Sequence, residues 1–133
     1  MKPNQFIIEE TSLYDFNNTV EKLVAEAERR EWKVPFVHDL QQSLAKSGKT
    51  VNPVKVIEIC KPEYSGKMLE LNDERIISVM MPCRISVYEK EDGKTYIALV
   101  NAGGMASGMP DNIASVLKAA ADESAEIVKT VTN

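Results

Sequence analysis

The stretch CRISVYEKEDGKTYIALV, residues 83–100, decides the fold because it reads as two strands joined by a tight turn. Apolar and polar residues alternate on both sides of Asp92 and Gly93, and Asp-Gly between two alternating runs is the signature of a two-residue hairpin turn. Such a turn sets Cys83 opposite Ala102. The sequence therefore predicts an antiparallel pair of strands that starts at a cysteine.

Apolar spacing and capping residues on either side of this hairpin predict alternating strands and helices. The predicted elements are, in chain order, a strand at 5–10, a helix capped by Asp15, a strand at 32–39 in which Pro35 indicates an edge position, a helix capped by Asp39, a strand at 54–60, a helix that begins at Pro62, a strand at 76–81, the two hairpin strands and a long helix capped by Asp111. The order β-α-β-α-β-α-β-β-β-α predicts an α+β fold. We expect a two-layer domain with a mixed, mostly antiparallel sheet and helices packed on one face.

Composition bounds the class of protein. A chain of 133 residues suits one domain, which we expect to span residues 1–133. The formal net charge of −4 offers no basic surface for nucleic acid. No basic leader precedes an apolar run, and no apolar stretch approaches the roughly 18 residues of a membrane span. Two cysteines do not make a disulfide scaffold and favour a reducing cytoplasm.

Strand directions predict where a site would lie. His38 and Cys60 each end a predicted strand, whereas Cys83 begins one, so all three reach the same rim if the hairpin strand runs antiparallel to the other two. The glycine-rich loop at 101–110 follows the hairpin at that rim. We therefore predict a pocket there, with binding residues His38, Glu58, Cys60, Cys83, Arg84, Asn101, Gly103 and Gly104.

The two cysteines support more than one interpretation. Cys60 precedes a predicted helix whose free N–H groups favour a thiolate, which makes Cys60 and Cys83 the candidates for a catalytic thiol. Free cysteines are also common small apolar core residues. A metal site of His38, Cys60 and Cys83 is a further alternative, but the sequence has no short C-x₂₋₄-C knuckle, so we expect no metal. The sequence leaves open whether a cofactor binds.

Several stretches resemble one known family over nearly the full length of the chain. They are YDFNNTVEKLVAEAERREWKV (14–34), VKVIEICKP (54–62) with its Cys-Lys-Pro end, and MPCRISVYEKEDGKTYIAL (81–99). In these the chain resembles the domain of unknown function 302 family. The resemblance implies a small α+β fold of the TT1751-like type and a homodimer, and it implies no activity and no catalytic residue. A glycine that is usual after the first helix is replaced around Glu31, so we expect that turn to differ.

The sequence taken as a whole predicts a small cytoplasmic ligand-binding or interaction domain. The partners we expect are a second copy of the chain and a small molecule, with neither nucleic acid nor membrane. The alternative is a thiol-dependent redox or sulfur-carrier protein that uses Cys60, Cys83 or both. Because no catalytic signature is present, no reaction is assigned.

Overall fold

Five strands form one antiparallel sheet in the computed structural model, which describes residues 6–132. The elements are β1 (Ile7–Thr11), α1 (Phe16–Arg29), β2 (Val37–Asp39), α2 (Leu40–Ala45), β3 (Val54–Ile59), α3 (Pro62–Leu69), a 3-10 helix (Asp73–Met80), β4 (Cys83–Glu89), β5 (Thr95–Val100), α4 (Ala102–Met105) and α5 (Asp111–Thr132). The strand order β1-β5-β4-β3-β2 puts the hairpin in the middle of the sheet. The predicted α+β class is confirmed, with a sheet that is wholly antiparallel. Gln5 of the predicted first strand lies outside the described residues.

The main core lies between one face of the sheet and helices α1 and α5. Alternation along the strands sends every second side chain to this face, where each is almost fully buried: Ile57, Ile59, Ile85, Val87 and Ile97. The helices meet them with one apolar stripe each: Leu23 and Ala27 from α1, and Ile127, Val128 and Val131 from α5. Burial of each large aliphatic side chain contributes about 1.5–3 kcal/mol. Among the described residues, no helix is long and apolar enough to cross a membrane.

The predicted hairpin is present, but its predicted register is wrong by one residue. The turn has three loop residues rather than two, because Gly93 adopts a left-handed φ of 78° and its N–H donates to the Lys90 carbonyl at 3.0 Å. A type I turn followed by a left-handed glycine is the usual three-residue hairpin loop. The resulting register sets Val87 opposite Ile97, which puts apolar residues together on the core face. The predicted pairing of Cys83 with Ala102 is therefore lost.

The strand predicted at 76–81 is wrong, because residues Asp73–Met80 form a 3-10 helix. No strand position is open beside β3 or β4, since each already has a partner on both sides. The apolar residues instead follow a three-residue spacing, in which Ile77 is buried and Met80 packs against the same cluster. Ile76 and Val79 are exposed, at 77% and 83%.

Two of the three predicted helix caps are confirmed. Asp15 and Asp39 cap α1 and α2, each accepting a hydrogen bond from the backbone N–H three residues later, at 2.8 and 2.9 Å. Asp111 is not the cap of α5, because the carbonyl of Pro110 already accepts the N–H of Ala114 at 2.8 Å. Asp111 lies in the first turn, where its charge favours the helix dipole.

Helix α1 ends in a Schellman motif with glutamate at the position that glycine usually takes. The N–H of Trp32 donates to the Ala27 carbonyl at 2.9 Å, and the N–H of Glu31 donates to the Glu28 carbonyl at 3.0 Å. Glu31 has a φ of 68°, in the left-handed region. This turn sends Trp32 back into the core, where it is 3% exposed.

Replacing Glu31 with glycine is expected to raise the free energy of unfolding by about 0.5–1 kcal/mol, because relief of the left-handed backbone outweighs the added freedom of the unfolded chain. Urea denaturation would measure the change. The matched control is Glu28→Gly in the last turn of α1, which we expect to cost about 1 kcal/mol. Equal destabilisation by both glycines would contradict this account of the turn.

Candidate functional site

A cavity of about 320 Å³ lies at the rim of the sheet where β3 ends and β4 begins. Its walls come from α3, the 3-10 helix and α5. The lining is mainly apolar and includes Ile59, Met68, Ile77, Val79, Met80, Met81, Leu99, Val116 and Leu117. Small-molecule sites in proteins are typically concave, apolar and of about 300–1,000 Å³, so the cavity has the form of a ligand pocket.

The local sequence explains why a cavity forms at this rim. Pro62 occupies the first turn of α3, as predicted, so the chain leaves β3 and turns directly into a helix. The 3-10 helix then returns over the rim and packs Ile77 with Met68 and Ile113 in a second, smaller core cluster. The space between this cluster and the main core is the cavity.

Both cysteines line the cavity, which confirms that they share one rim. Cys83 pairs with Ile59 across β3 and β4, and Cys60 follows Ile59 directly. The two cysteines are therefore neighbours at the adjacent ends of β3 and β4. Both thiols are free, and the Cys60 Sγ lies 3.7 Å from the Ser65 Oγ.

The environment of Cys83 disfavours a thiolate. Although the residue is exposed at the cavity mouth, desolvation of its thiol raises the pKa, and repulsion from Cys60 raises it further. Nucleophilic cysteines have the opposite property, a lowered pKa. Cys83 is therefore a weak nucleophile at neutral pH.

A polar cluster centred on Glu123 closes one end of the cavity. The Glu123 carboxylate accepts hydrogen bonds from Trp32 Nε1 at 2.7 Å, Lys61 Nζ at 2.5 Å and Tyr64 OH at 2.7 Å. Lys61 also donates to the carbonyl of Arg30 at 3.1 Å. Trp32, Lys61 and Tyr64 line the cavity, so its polar end is already paired within the protein.

The pKa values in this cluster follow from those hydrogen bonds. Burial alone would raise the pKa of Glu123, but the hydrogen bonds from Lys61, Tyr64 and Trp32 outweigh it and lower the pKa. The bond to Glu123 also raises the pKa of Tyr64 to about 12, with burial as a further cause. At neutral pH Glu123 is therefore a carboxylate and Tyr64 a neutral phenol.

Sequence reasoning missed Glu123, although its position carries a signal. It lies three residues after Ala120 and four before Ile127, next to the buried stripe of α5. A carboxylate there needs a partner. The partners come from α3 and from the turn after α1, at sequence separations of 59 to 91 residues, which no local pattern connects.

The predicted position of His38 at the same rim is wrong. Strand β2 runs antiparallel to β3, so His38 lies opposite Val56 and not beside Cys60. Its Nε2 instead lies 2.8 Å from the Glu58 carboxylate, which supplies the partner that Glu58 was expected to need. Neither residue lines the cavity.

The separation of His38 from the cysteines removes the metal set predicted from His38, Cys60 and Cys83. Within residues 6–132, no three His, Cys, Asp or Glu side chains lie close enough together to hold a metal ion.

The remaining predicted binding residues divide between the cavity and a helix cap. Arg84 lines the cavity, whereas Asn101, Gly103 and Gly104 do not. The Asn101 side chain caps α4 by accepting the N–H of Gly104 at 3.1 Å. A Cβ on Gly104 would lie 2.6 Å from the Asn101 side chain, so glycine allows this cap to close. The loop is thus held by its own cap.

Comparisons with known proteins agree with this fold. The family model for "Domain of unknown function DUF302" matches residues 8–131. The crystal structure of an uncharacterized conserved DUF302 protein from Bacillus stearothermophilus is similar to the chain, with a TM-score of 0.85 and 18% sequence identity over 96% of this chain and 99% of that one. No curated protein matches the chain. The match over residues 8–131 shows that the chain belongs to the DUF302 family.

Proposed function

We propose that the protein binds a small molecule with an apolar body in the rim cavity. The observation that carries the proposal is the cavity itself, about 320 Å³ in volume and lined mainly by aliphatic and methionine side chains. Methionine is flexible and polarisable, which lets such a lining adapt to a ligand. Burial of the ligand's apolar surface would provide the affinity.

Thiol-dependent redox or sulfur-carrier chemistry is the weaker candidate. Both cysteines border the cavity, but the raised pKa of Cys83 opposes nucleophilic attack by its thiol. Two free thiols suit a reducing cytoplasm, which is the location we propose. In this proposal the cysteines shape the mouth of the cavity.

Octanoate is a suitable probe, and Trp32 is the natural reporter because it lines the cavity and is the chain's single tryptophan. We expect octanoate to cause a saturable change in tryptophan emission, since the bound ligand would lie beside the indole. Equilibrium dialysis would give the stoichiometry, with one site per chain expected. A non-saturating response together with no retained octanoate would contradict the proposal.

A second copy of the chain is the protein partner we propose. β1 and β2 are the edge strands of the sheet, and exposed edges are commonly covered by another chain. Phe6 and Ile7 beside one edge, and Phe36 beside the other, are exposed apolar residues that a partner would bury.

A further inference from the structure

Arg84 is an exposed cation among the residues that line the cavity. It lies directly opposite Glu58 across β3 and β4. Opposite charges at such positions normally attract, because their Cβ atoms are about 4.5–5.5 Å apart. Arg84 is nevertheless exposed and forms no ion pair with any residue in the described range 6–132. The expected cross-strand pair is absent.

His38 explains why the pair does not form. Glu58 lies on β3, between β2 and β4, and its carboxylate bonds to His38 Nε2 on the β2 side at 2.8 Å. The ring of Phe36 packs edge-on against the imidazole, with ring centroids 4.6 Å apart, and restrains it. The carboxylate is therefore drawn toward β2 and away from Arg84.

Lys61 is the other cation among the described residues that line the cavity, and it is already neutralised. Its Nζ lies 2.5 Å from Glu123, inside the closed polar cluster. Arg84 is thus the cavity-lining cation that remains available to an anionic ligand, and a guanidinium can bind a carboxylate through two parallel hydrogen bonds.

We propose that the ligand is an amphipathic anion whose apolar body fills the cavity and whose head group binds Arg84. His38 acts as a positioning residue that keeps Glu58 from pairing with Arg84. This inference rests on the proposed function, and it names the chemical class of the ligand and the residue that selects it.

The test compares octanoate with octanol, an uncharged analogue of the same chain length, through Trp32 emission at neutral pH. Arg84→Gln is expected to weaken octanoate binding about fivefold and to leave octanol binding unchanged. His38→Ala is expected to weaken octanoate binding about threefold, because the released Glu58 pairs with Arg84. Adding Glu58→Gln to His38→Ala should restore octanoate binding.

Each outcome decides between the two proposals. If Arg84→Gln changes the affinity for neither octanoate nor octanol, the anion inference is overturned and the cavity proposal stands. If His38→Ala weakens octanoate binding and the added Glu58→Gln does not restore that binding, His38 is merely structural and its positioning role is overturned. Failure of both probes to bind the wild-type protein would overturn the proposed function and this inference together.

Discussion

Replacing Glu123 with alanine is expected to lower the free energy of unfolding by about 3 kcal/mol, because the substitution leaves a buried ammonium group without its counter-ion. Lys61 and Glu123 side chains are only 16% and 19% exposed, so water replaces little of the lost interaction. Trp32 Nε1 and Tyr64 OH lose their acceptor at the same time. Urea denaturation at neutral pH measures the loss.

The neighbouring carboxylate gives a matched control. Asp122 lies one residue earlier on α5 and pairs with Lys118, but both side chains are about 70% exposed, at 69% and 71%. Asp122→Ala should change the free energy of unfolding by less than about 0.5 kcal/mol. Equal effects of the two alanines would show that the cluster at the end of the cavity does not stabilise the fold.

The contribution of Glu123 should depend on pH in one direction. Its pKa is lowered in the folded state from an ordinary value of 4.5, because the hydrogen-bond donors outweigh burial. The unfolded chain then binds the proton more readily, so the stabilisation is complete above about pH 4.5 and is lost as pH falls through the folded pKa. The difference between wild type and Glu123→Ala should therefore shrink on acidification. A constant difference from neutral pH to pH 3 would contradict the assigned pKa shift.

Filling the cavity should abolish most ligand binding. Val116 lies on α5 and lines the cavity, so phenylalanine at this position would project into the space that the ligand needs. We expect Val116→Phe to weaken octanoate binding at least about tenfold, a loss of 1.4 kcal/mol or more. The emission of Trp32 measures the affinity, and circular dichroism confirms that the variant is folded.

Ser115→Phe is the control for this substitution. Ser115 precedes Val116 on the same helix but is exposed and does not line the cavity. The same added ring should leave octanoate affinity within about twofold of wild type. Undiminished binding by Val116→Phe would place the ligand elsewhere on the protein.

Much of the fold follows from local signals in the sequence. The apolar stripe of α1, its Asp15 cap and the Asp-Gly hairpin each depend on residues close in the chain, and all three are present. The hairpin register depends on one left-handed residue, Gly93, which fits either a two-residue or a three-residue loop. Segment 76–81 has apolar residues that suit a strand, and a strand is excluded only because β3 and β4 already have partners on both sides.

The sequence predicted the candidate site correctly only for residues on strands whose direction it also predicted correctly. Cys60 and Cys83 share a rim because the central strands β3 and β4 are antiparallel. His38 does not lie at this rim, because its short edge strand β2 is antiparallel to β3. Nothing near His38 in the sequence specifies that direction. The link between Lys61 and Glu123 spans 62 residues and forms only when α5 packs beside α3.

A titration of isotope-labelled protein with octanoate, followed by amide NMR shifts, locates the binding site. The cavity proposal predicts saturable shifts at Met68, Cys83 and Val116, which surround the cavity on three different elements. It predicts unchanged amide shifts at Lys90 and Lys94, beside the hairpin turn at the far end of β4 and β5. Shifts confined to the hairpin turn, or no saturable shift at all, would contradict it.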